Sequence, residues 1–200
     1  MITHLLRPGH FVTKRLYSSI SSLELQNLDA WIVASEKTLP LSDTLTPTHL
    51  ANLYVTLPTR DGTLGKKSHK PIEGRKLEYG HHLAFFHPRN PEAVLRPDGT
   101  DADFCPPEPF TRRMWAGGSM RWLDPLIIGQ TVDAVSTVSS VEKKGFKKGL
   151  PMVFVNQTIN YMSKGRVNPN VVEGRVHVYL PPGLSRREPR EGVEISNSST

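Results

Sequence analysis

The chain has 200 residues, a formal net charge of +6 and a single cysteine, Cys105. A chain of this length favours one domain, and it can bury about 70% of its unfolded surface without covalent or metal staples. One cysteine excludes an intrachain disulfide and a cysteine-based metal cluster. No apolar run approaches the roughly 20 residues that a helix needs to span a bilayer.

The start of the chain, residues 1–22, is predicted to be a mitochondrial presequence. It is basic and rich in serine, and the first acidic residue of the chain is Glu24. This composition is typical of an import signal, and the long apolar stretch of a secretory signal is not present. Arg15 stands shortly before a processing site that the pattern predicts after Tyr17, so we expect a protein of the mitochondrial matrix. The alternative is a disordered basic tail.

Two helices are predicted in the first third of the chain. The first covers Leu23–Lys37, where apolar residues recur at helical spacing and Ser22 can cap the start. The second covers Leu45–Leu57, with Thr46 as N-cap and Pro47 at the first helical position. Its apolar residues follow the i, i+3, i+4, i+7 pattern of a single buried stripe: Leu50, Leu53, Tyr54 and Leu57.

The segment Thr59–Pro109 is irregular, because proline and glycine interrupt it repeatedly. It contains one apolar island, Leu83–Phe86, flanked by the histidines His81, His82 and His87. We do not predict a metal site there. No acidic residue stands at a credible ligand spacing, and adjacent histidines point to opposite sides of a strand. No metal and no cofactor are therefore expected.

Four β-rich runs separated by turn residues follow and predict an antiparallel sheet. They are Arg112–Leu123, Thr131–Val141, Leu150–Met162 and Val171–Leu180. Valines at every third position of the second run also suit a helix. The intervening serine, threonine and aspartate residues are poor helix formers, so we predict a strand.

The last of these runs alternates strictly, which predicts one buried face and one wet face. The apolar set is predicted to be buried: Val172, Val176, Val178 and Leu180. The other set is predicted to face solvent: Glu173, Arg175, His177 and Tyr179. On this interpretation His177 belongs to the solvent-facing side of the sheet.

The sequence RRMWAGGSMRWLDPLIIG at 112–129, with MVFV at 152–155, resembles the N-terminal half of the fungal and bacterial type 2 hydroxyacyl-thioester dehydratases. Together with the mesaconyl-CoA hydratases, that family belongs to the MaoC-like superfamily. The resemblance implies an α+β, hot-dog-like fold, in which a curved antiparallel β-sheet wraps around a helix. We expect one such domain over residues 23–181, with the helix at 45–57 as a candidate for the wrapped helix. A disordered tail is expected over 182–200.

The resemblance also implies a function. It points to a component of a 3-hydroxyacyl-thioester dehydratase, or enoyl-thioester hydratase, in mitochondrial fatty-acid synthesis or CoA-ester metabolism. In the resembling family an Asp and a His of a second hot-dog domain move the proton. This sequence has no matching Asp-x4-His spacing, so we expect it to correspond to the non-catalytic N-terminal half and assign no catalytic residue. The alternative is a non-enzymatic hot-dog module that binds acyl chains or pairs with a partner.

The expected partners are an acyl thioester of CoA or acyl carrier protein, and either a second copy of the chain or a catalytic hot-dog protein. By resemblance, Arg112, Arg113 and Trp115 lie near the ligand or the contact between halves; the alternative is a structural stack of Arg on Trp. Phe85 and Phe86 form either a wall of an acyl tunnel or a satellite core cluster.

A basic turn with four lysines is the remaining candidate site. Lys143, Lys144, Lys147 and Lys148 bracket Phe146 and could contact CoA phosphates or an acidic carrier protein. The alternative is a solubilising turn that protects a hairpin from edge pairing. An RNA-binding protein is the weakest hypothesis, because the basic residues are scattered and no aromatic-studded basic face is present.

Overall fold

The structure, a computed structural model, describes residues 20–34, 38–57 and 70–183. The predicted presequence therefore lies outside the described residues except for its last three positions. The predicted tail lies outside them from residue 184 onward.

The first helix, α1, covers Ser22–Val33 and is shorter than predicted. Its N-cap is Ser21 rather than Ser22, because Ser21 and Glu24 form a reciprocal capping box. The helix ends at the C-cap Ala34, whereas the sequence predicted helix up to Lys37. No helix within the described ranges is long and apolar enough to cross a membrane.

The second helix, α2, covers Pro47–Thr56 and confirms the predicted capping. The side chain of Thr46 accepts a hydrogen bond from the backbone N–H of His49, and proline opens the helix. Leu50 and Tyr54 are the buried members of the predicted stripe.

All four predicted strands are present. An unpredicted strand, β1, precedes them in the chain and is described below. The four predicted strands are β2 (Arg112–Trp122), β3 (Thr131–Lys144), β4 (Met152–Ser163) and β5 (Val171–Leu180). The strand interpretation of the valine-rich run is confirmed, because β3 pairs with β4 along its length apart from a register shift between Val138 and Ser140.

The sequence did not predict the first strand, β1, which covers Thr38–Thr44 between the two helices. It pairs antiparallel with β3 at one edge of the sheet, where Pro40 is tolerated because an edge strand has a side without ladder hydrogen bonds. The sheet has five strands in the order β1-β3-β4-β5-β2. All of its strand pairs are antiparallel.

Both helices pack on the same face of the sheet, which we call the inner face. Leu50 and Tyr54 of α2 share a core cluster with Val132, Ile159 and Tyr161 of the sheet. On α1, Leu28 belongs to a second cluster; its sheet members are Val153, Val155 and Tyr179. The α+β hot-dog-like class, with an antiparallel sheet around a helix, is confirmed.

The predicted orientation of β5 is wrong. Tyr179 is 0% exposed and Glu173 is 3% exposed, and both lie on the inner face with His177. Cross-strand register explains why this face of β5 points inward. Tyr179 pairs with Val153, and His177 pairs with Val155, so both share the face of the buried β4 valines. Periodicity identified the two faces of β5 correctly but assigned them to the wrong sides, although Val178 of the set predicted to be buried is buried, at 5% exposure.

Candidate functional site

A cavity of about 290 Å³ opens on the inner face of the sheet. Its walls draw on both core clusters, and polar side chains are concentrated on the sheet side. These polar side chains come from β2, β3, β4 and β5: Arg113, Ser136, Gln157, Tyr161, Arg175 and His177. The opposite wall is formed by the irregular segment, including Phe85, Phe86, Asp101, Asp103 and Phe104.

A buried carboxylate organises the polar wall. Glu173 accepts hydrogen bonds from the Tyr161 hydroxyl at 2.7 Å and from Nε of Arg175 at 2.6 Å. Nη2 of Arg175 also donates to it, at 3.1 Å. Burial and the bond to Glu173 raise the pKa of Tyr161 well above its ordinary value. Burial disfavours the Arg175 cation, but its hydrogen bonds and attraction to Glu173 outweigh burial and raise its pKa.

Two histidines with lowered pKa values lie near this group. Burial, and then the charges of Arg113 and Arg175, lower the pKa of His177 to about 4. Burial also lowers the pKa of His82, whose ring lies 4.7 Å from that of Tyr161 in an edge-on contact. Nδ1 of His177 and Nε2 of His82 are buried and have no hydrogen-bond partner among the residues that the structure describes.

The wall formed by the irregular segment contains strained backbone. Phe86 and Phe104 both have positive φ angles, of 61° and 59°, which cost non-glycine residues about 1–3 kcal/mol each. The backbone N–H of Phe86 donates to Oδ2 of Asp43 at 3.3 Å. Phe85 and Phe86 also line a second cavity, of about 600 Å³, beside β1 and the start of α2. The predicted island therefore lies between two cavities and contributes Phe85 to the main core cluster.

The three predicted residues of β2 have different surroundings. Arg113 lines the cavity, and its positive charge acts on the Tyr179 hydroxyl. Trp115 is 59% exposed, and its ring meets that of His177 edge-on at 5.5 Å. A Cβ atom at Gly118 would lie 2.6 Å from the Trp115 ring, so glycine is needed for the ring to lie there. Arg112 is exposed and pairs with Leu180 at the end of the strand.

The lysine turn lies away from the cavity lining. Lys143 forms an ion pair with Asp29 of α1, and Lys144 pairs with Glu142 at 2.9 Å and stacks over Phe154. Lys147 and Lys148 lie in a short 3-10 turn between two glycines in the left-handed conformation and are exposed. The ring of Phe146 lies 6.0 Å from that of Phe110, which anchors the turn to the core.

Sequence reasoning missed the polar wall itself. Glu173, Arg175 and His177 were assigned to solvent, and Tyr161 was not singled out as a site residue. The signal that could have identified them was parity, since Tyr161 shares the buried alternation of β4. The register between β4 and β5 then places Glu173, Arg175 and His177 on the same face as Tyr161.

Together these groups can bind a small ligand but are poorly suited to proton transfer. Both oxygens of Glu173 are engaged, and an imidazole with a pKa of about 4 is a weak base at neutral pH. The other side chains that line the cavity can donate and accept hydrogen bonds and can contact apolar groups.

Comparison with known proteins gives a family match over the residues that form most of the cavity. A family model described as hydroxyacyl-thioester dehydratase type 2 matches residues 80–200. The mesaconyl-C(4)-CoA hydratase of Chloroflexus aurantiacus is 32% identical over 123 residues. That match covers 60% of this chain and 43% of the relative, so the chain spans less than half the length of this curated relative.

Solved structures are similar at low sequence identity. The ChsH1-ChsH2 complex from Mycobacterium tuberculosis matches with a TM-score of 0.46 and 12% identity, over 80% of this chain and 93% of that one. The MaoC-like dehydratase from Rhodospirillum rubrum matches with a TM-score of 0.42 and 12% identity, over 73% and 92%.

Proposed function

Because this chain belongs to the hydroxyacyl-thioester dehydratase type 2 family, we propose that it is a component of a 3-hydroxyacyl-thioester dehydratase or enoyl-thioester hydratase. It binds the acyl part of a CoA or acyl-carrier-protein thioester, in mitochondrial fatty-acid synthesis or CoA-ester metabolism. The observation that carries the proposal is the inner-face cavity, whose walls come largely from the residues that the family model matches.

Within that enzyme we assign this chain the non-catalytic, ligand-binding half. The state of its titratable groups supports the assignment. Glu173 is engaged by Tyr161 and Arg175, and His177 has a pKa of about 4. A general acid or base works best when its pKa lies near the operating pH, so His177 is not tuned for proton transfer at neutral pH.

The catalytic half would be supplied by a partner hot-dog protein, or a second copy would complete the assembly. The free edge of β2 supports this part of the proposal. An edge strand offers unpaired backbone groups, and Trp115 and Trp122 on it are 59% and 41% exposed. Aromatic residues are enriched at protein interfaces. Lys147 and Lys148, exposed in the basic turn, would contact CoA phosphates or the acidic carrier protein.

The experiment is hydration of a trans-2-enoyl-CoA, followed by the loss of enoyl absorbance. We expect no turnover by the purified chain alone and turnover when a catalytic hot-dog partner is added. Turnover by the chain alone would show that it contains its own acid–base pair. Acyl-thioester binding without turnover in any pairing would favour the non-enzymatic module instead.

We also propose that the protein acts in the mitochondrial matrix and loses its first residues on import, with the cut near Tyr17. The basic, serine-rich and initially acid-free start supports this proposal. N-terminal sequencing of the protein isolated from mitochondria tests it, and Met1 at the start of the mature protein contradicts it.

A further inference from the structure

A thin partition separates the inner-face cavity of about 290 Å³ from the second cavity of about 600 Å³ beside β1. The residues that line both cavities, and so form this partition, are Leu41, Phe85, Phe86 and His87. Phe85 belongs to the main core cluster, whereas Leu41 and Phe86 only pack against it. His87 is exposed and Phe86 is half-buried. The ring of Phe86 is therefore a large apolar part of the partition that lies outside the core.

The backbone of Phe86 is held in a conformation that phenylalanine disfavours. Its φ angle of 61° lies in the left-handed region, where a side chain is strained and glycine is not. Such strain persists only where the surroundings impose it, and it is concentrated at ligand sites. Two contacts hold Phe86 here. Its backbone N–H donates to Oδ2 of Asp43 at 3.3 Å, and its ring meets that of Tyr161 edge-on at 5.2 Å. These contacts keep the ring in the partition.

The inner-face cavity is small, and its far end at the partition is apolar. Its volume is near the lower end of the roughly 300–1,000 Å³ found for ligand pockets. The charged side chains of its lining carry both signs, so they do not select an ionic chain end: Arg113, Arg175, Asp101 and Asp103. An uncharged alkyl end is therefore the group that fits against Phe86. A chain that reached this ring would have to stop there, although a larger cavity lies behind it.

We propose that Phe86 sets the longest acyl chain that the inner-face cavity accepts, because its ring closes the passage into the second cavity. This inference rests on the proposed function, since it names a specificity-determining residue of the same site. Phe86 acts by steric exclusion and takes no part in proton transfer. Without the ring, the end of a longer chain passes between Leu41 and Phe85 into the space beside β1.

The test measures, by calorimetry, how the intact chain binds butanoyl-, hexanoyl-, octanoyl- and decanoyl-CoA. Each buried methylene strengthens binding by roughly fourfold, so wild-type affinity should rise with chain length and level off at or before octanoyl-CoA. In Phe86→Gly the rise should continue, and decanoyl-CoA should bind about tenfold more tightly than to the wild type, the gain from about two further buried methylenes. Butanoyl-CoA should bind equally to both proteins. Glycine is the chosen replacement because it adopts the positive φ angle without strain.

Phe104→Gly is the matched control. Phe104 is also a phenylalanine with a positive φ angle, of 59°, and it lines the inner-face cavity but not the second one. Its loss should leave the chain-length limit where it is in the wild type. If either glycine variant does not fold, the milder pair Phe86→Leu and Phe104→Leu decides, with the same directions expected.

Three results overturn the inference: wild-type affinity that rises through decanoyl-CoA, an unchanged limit in the Phe86 variant, or an equal shift in the Phe104 variant. With any of these, acyl thioesters still bind, so the proposed function stands and this inference fails alone. If the wild type binds none of the four thioesters, the proposed binding function fails and the inference fails with it.

Discussion

Glu173 is a buried carboxylate on the inner face of the sheet, and its two oxygens are both engaged. Breaking a buried ion pair by removing one partner is usually costly, because the remaining charge has no partner and no water. The Tyr161 hydroxyl adds a third hydrogen bond to the group. The polar wall therefore depends on hydrogen bonds between neighbouring residues. The contribution of each bond to the free energy of unfolding can be measured.

Tyr161→Phe removes one of those contacts and keeps the ring. We expect the free energy of unfolding to fall by about 1.5–3 kcal/mol, the range for hydrogen bonds to charged groups. Urea denaturation measures it. Tyr79→Phe is the matched control, because Tyr79 is 75% exposed, and it should change stability by less than about 0.5 kcal/mol. Equal effects of the two variants would contradict the role of the buried hydrogen bond.

His177 predicts a pH dependence of stability. Its pKa falls from an ordinary 6.5 to about 4 in the folded chain, so the unfolded chain binds more protons between these values. Stability should therefore decrease as the pH falls through this window, by about 1–2 kcal/mol from pH 7 to pH 5 for this group. His82 has a lowered pKa too and acts in the same direction.

The measurement is urea denaturation of the wild type and of His177→Gln across this pH range. The variant should lose stability less steeply on acidification than the wild type. His87→Gln changes an exposed histidine and should keep the wild-type slope. An identical slope in all three proteins would show that His177 is not held neutral by the fold.

At the scale of elements, α2 packs against the inner face of the sheet, and its stability comes from one face of the helix. Leu50 is 0% exposed and Tyr54 is 3% exposed, whereas Val55 on the same helix is 73% exposed. Leu50→Ala should destabilise the protein by about 2–5 kcal/mol, the range for large-to-small changes in a core. Thermal or urea unfolding measures it. Val55→Ala should stay within about 0.5 kcal/mol. Similar effects of both would mean that α2 is not packed on the sheet.

For the whole molecule, the two edges of the sheet differ. The β1 edge is a seven-residue strand with a proline, while the β2 edge is an 11-residue strand with exposed tryptophans. Long apolar edges of this kind invite pairing with another chain. The side chains that would be buried on association lie on β2 and next to it: Met114, Trp115, Trp122 and Leu123.

Trp115→Ser combined with Trp122→Ser should weaken association with a second copy or a catalytic partner by at least about tenfold, since buried tryptophans often dominate interface energies. Analytical ultracentrifugation over a concentration series measures it. Val33→Ser, on α1 and 84% exposed, is the control for loss of an exposed apolar side chain elsewhere. Association that persists in the tryptophan variant would exclude the β2 edge as the pairing surface.

The sequence by itself determined the elements whose signals are local. Thr46 and Pro47 mark the start of α2 because capping and proline geometry act within one turn. The four strands from β2 to β5 follow from β-branched residues and turn residues along the chain. Strand β1 is the strand that these local signals did not predict. It is short and contains Pro40, and only its pairing with β3 makes it a strand.

The tertiary structure alone decided which face of β5 is inner. Alternation defines two faces but not their direction, and the rule that apolar residues are buried favoured the valine face. The charged face could turn inward because Glu173 finds Arg175 on its own strand and Tyr161 on β4, which satisfies its hydrogen bonds away from water. These partners are set by strand register, so the polar wall and its cavity followed only from the assembled sheet.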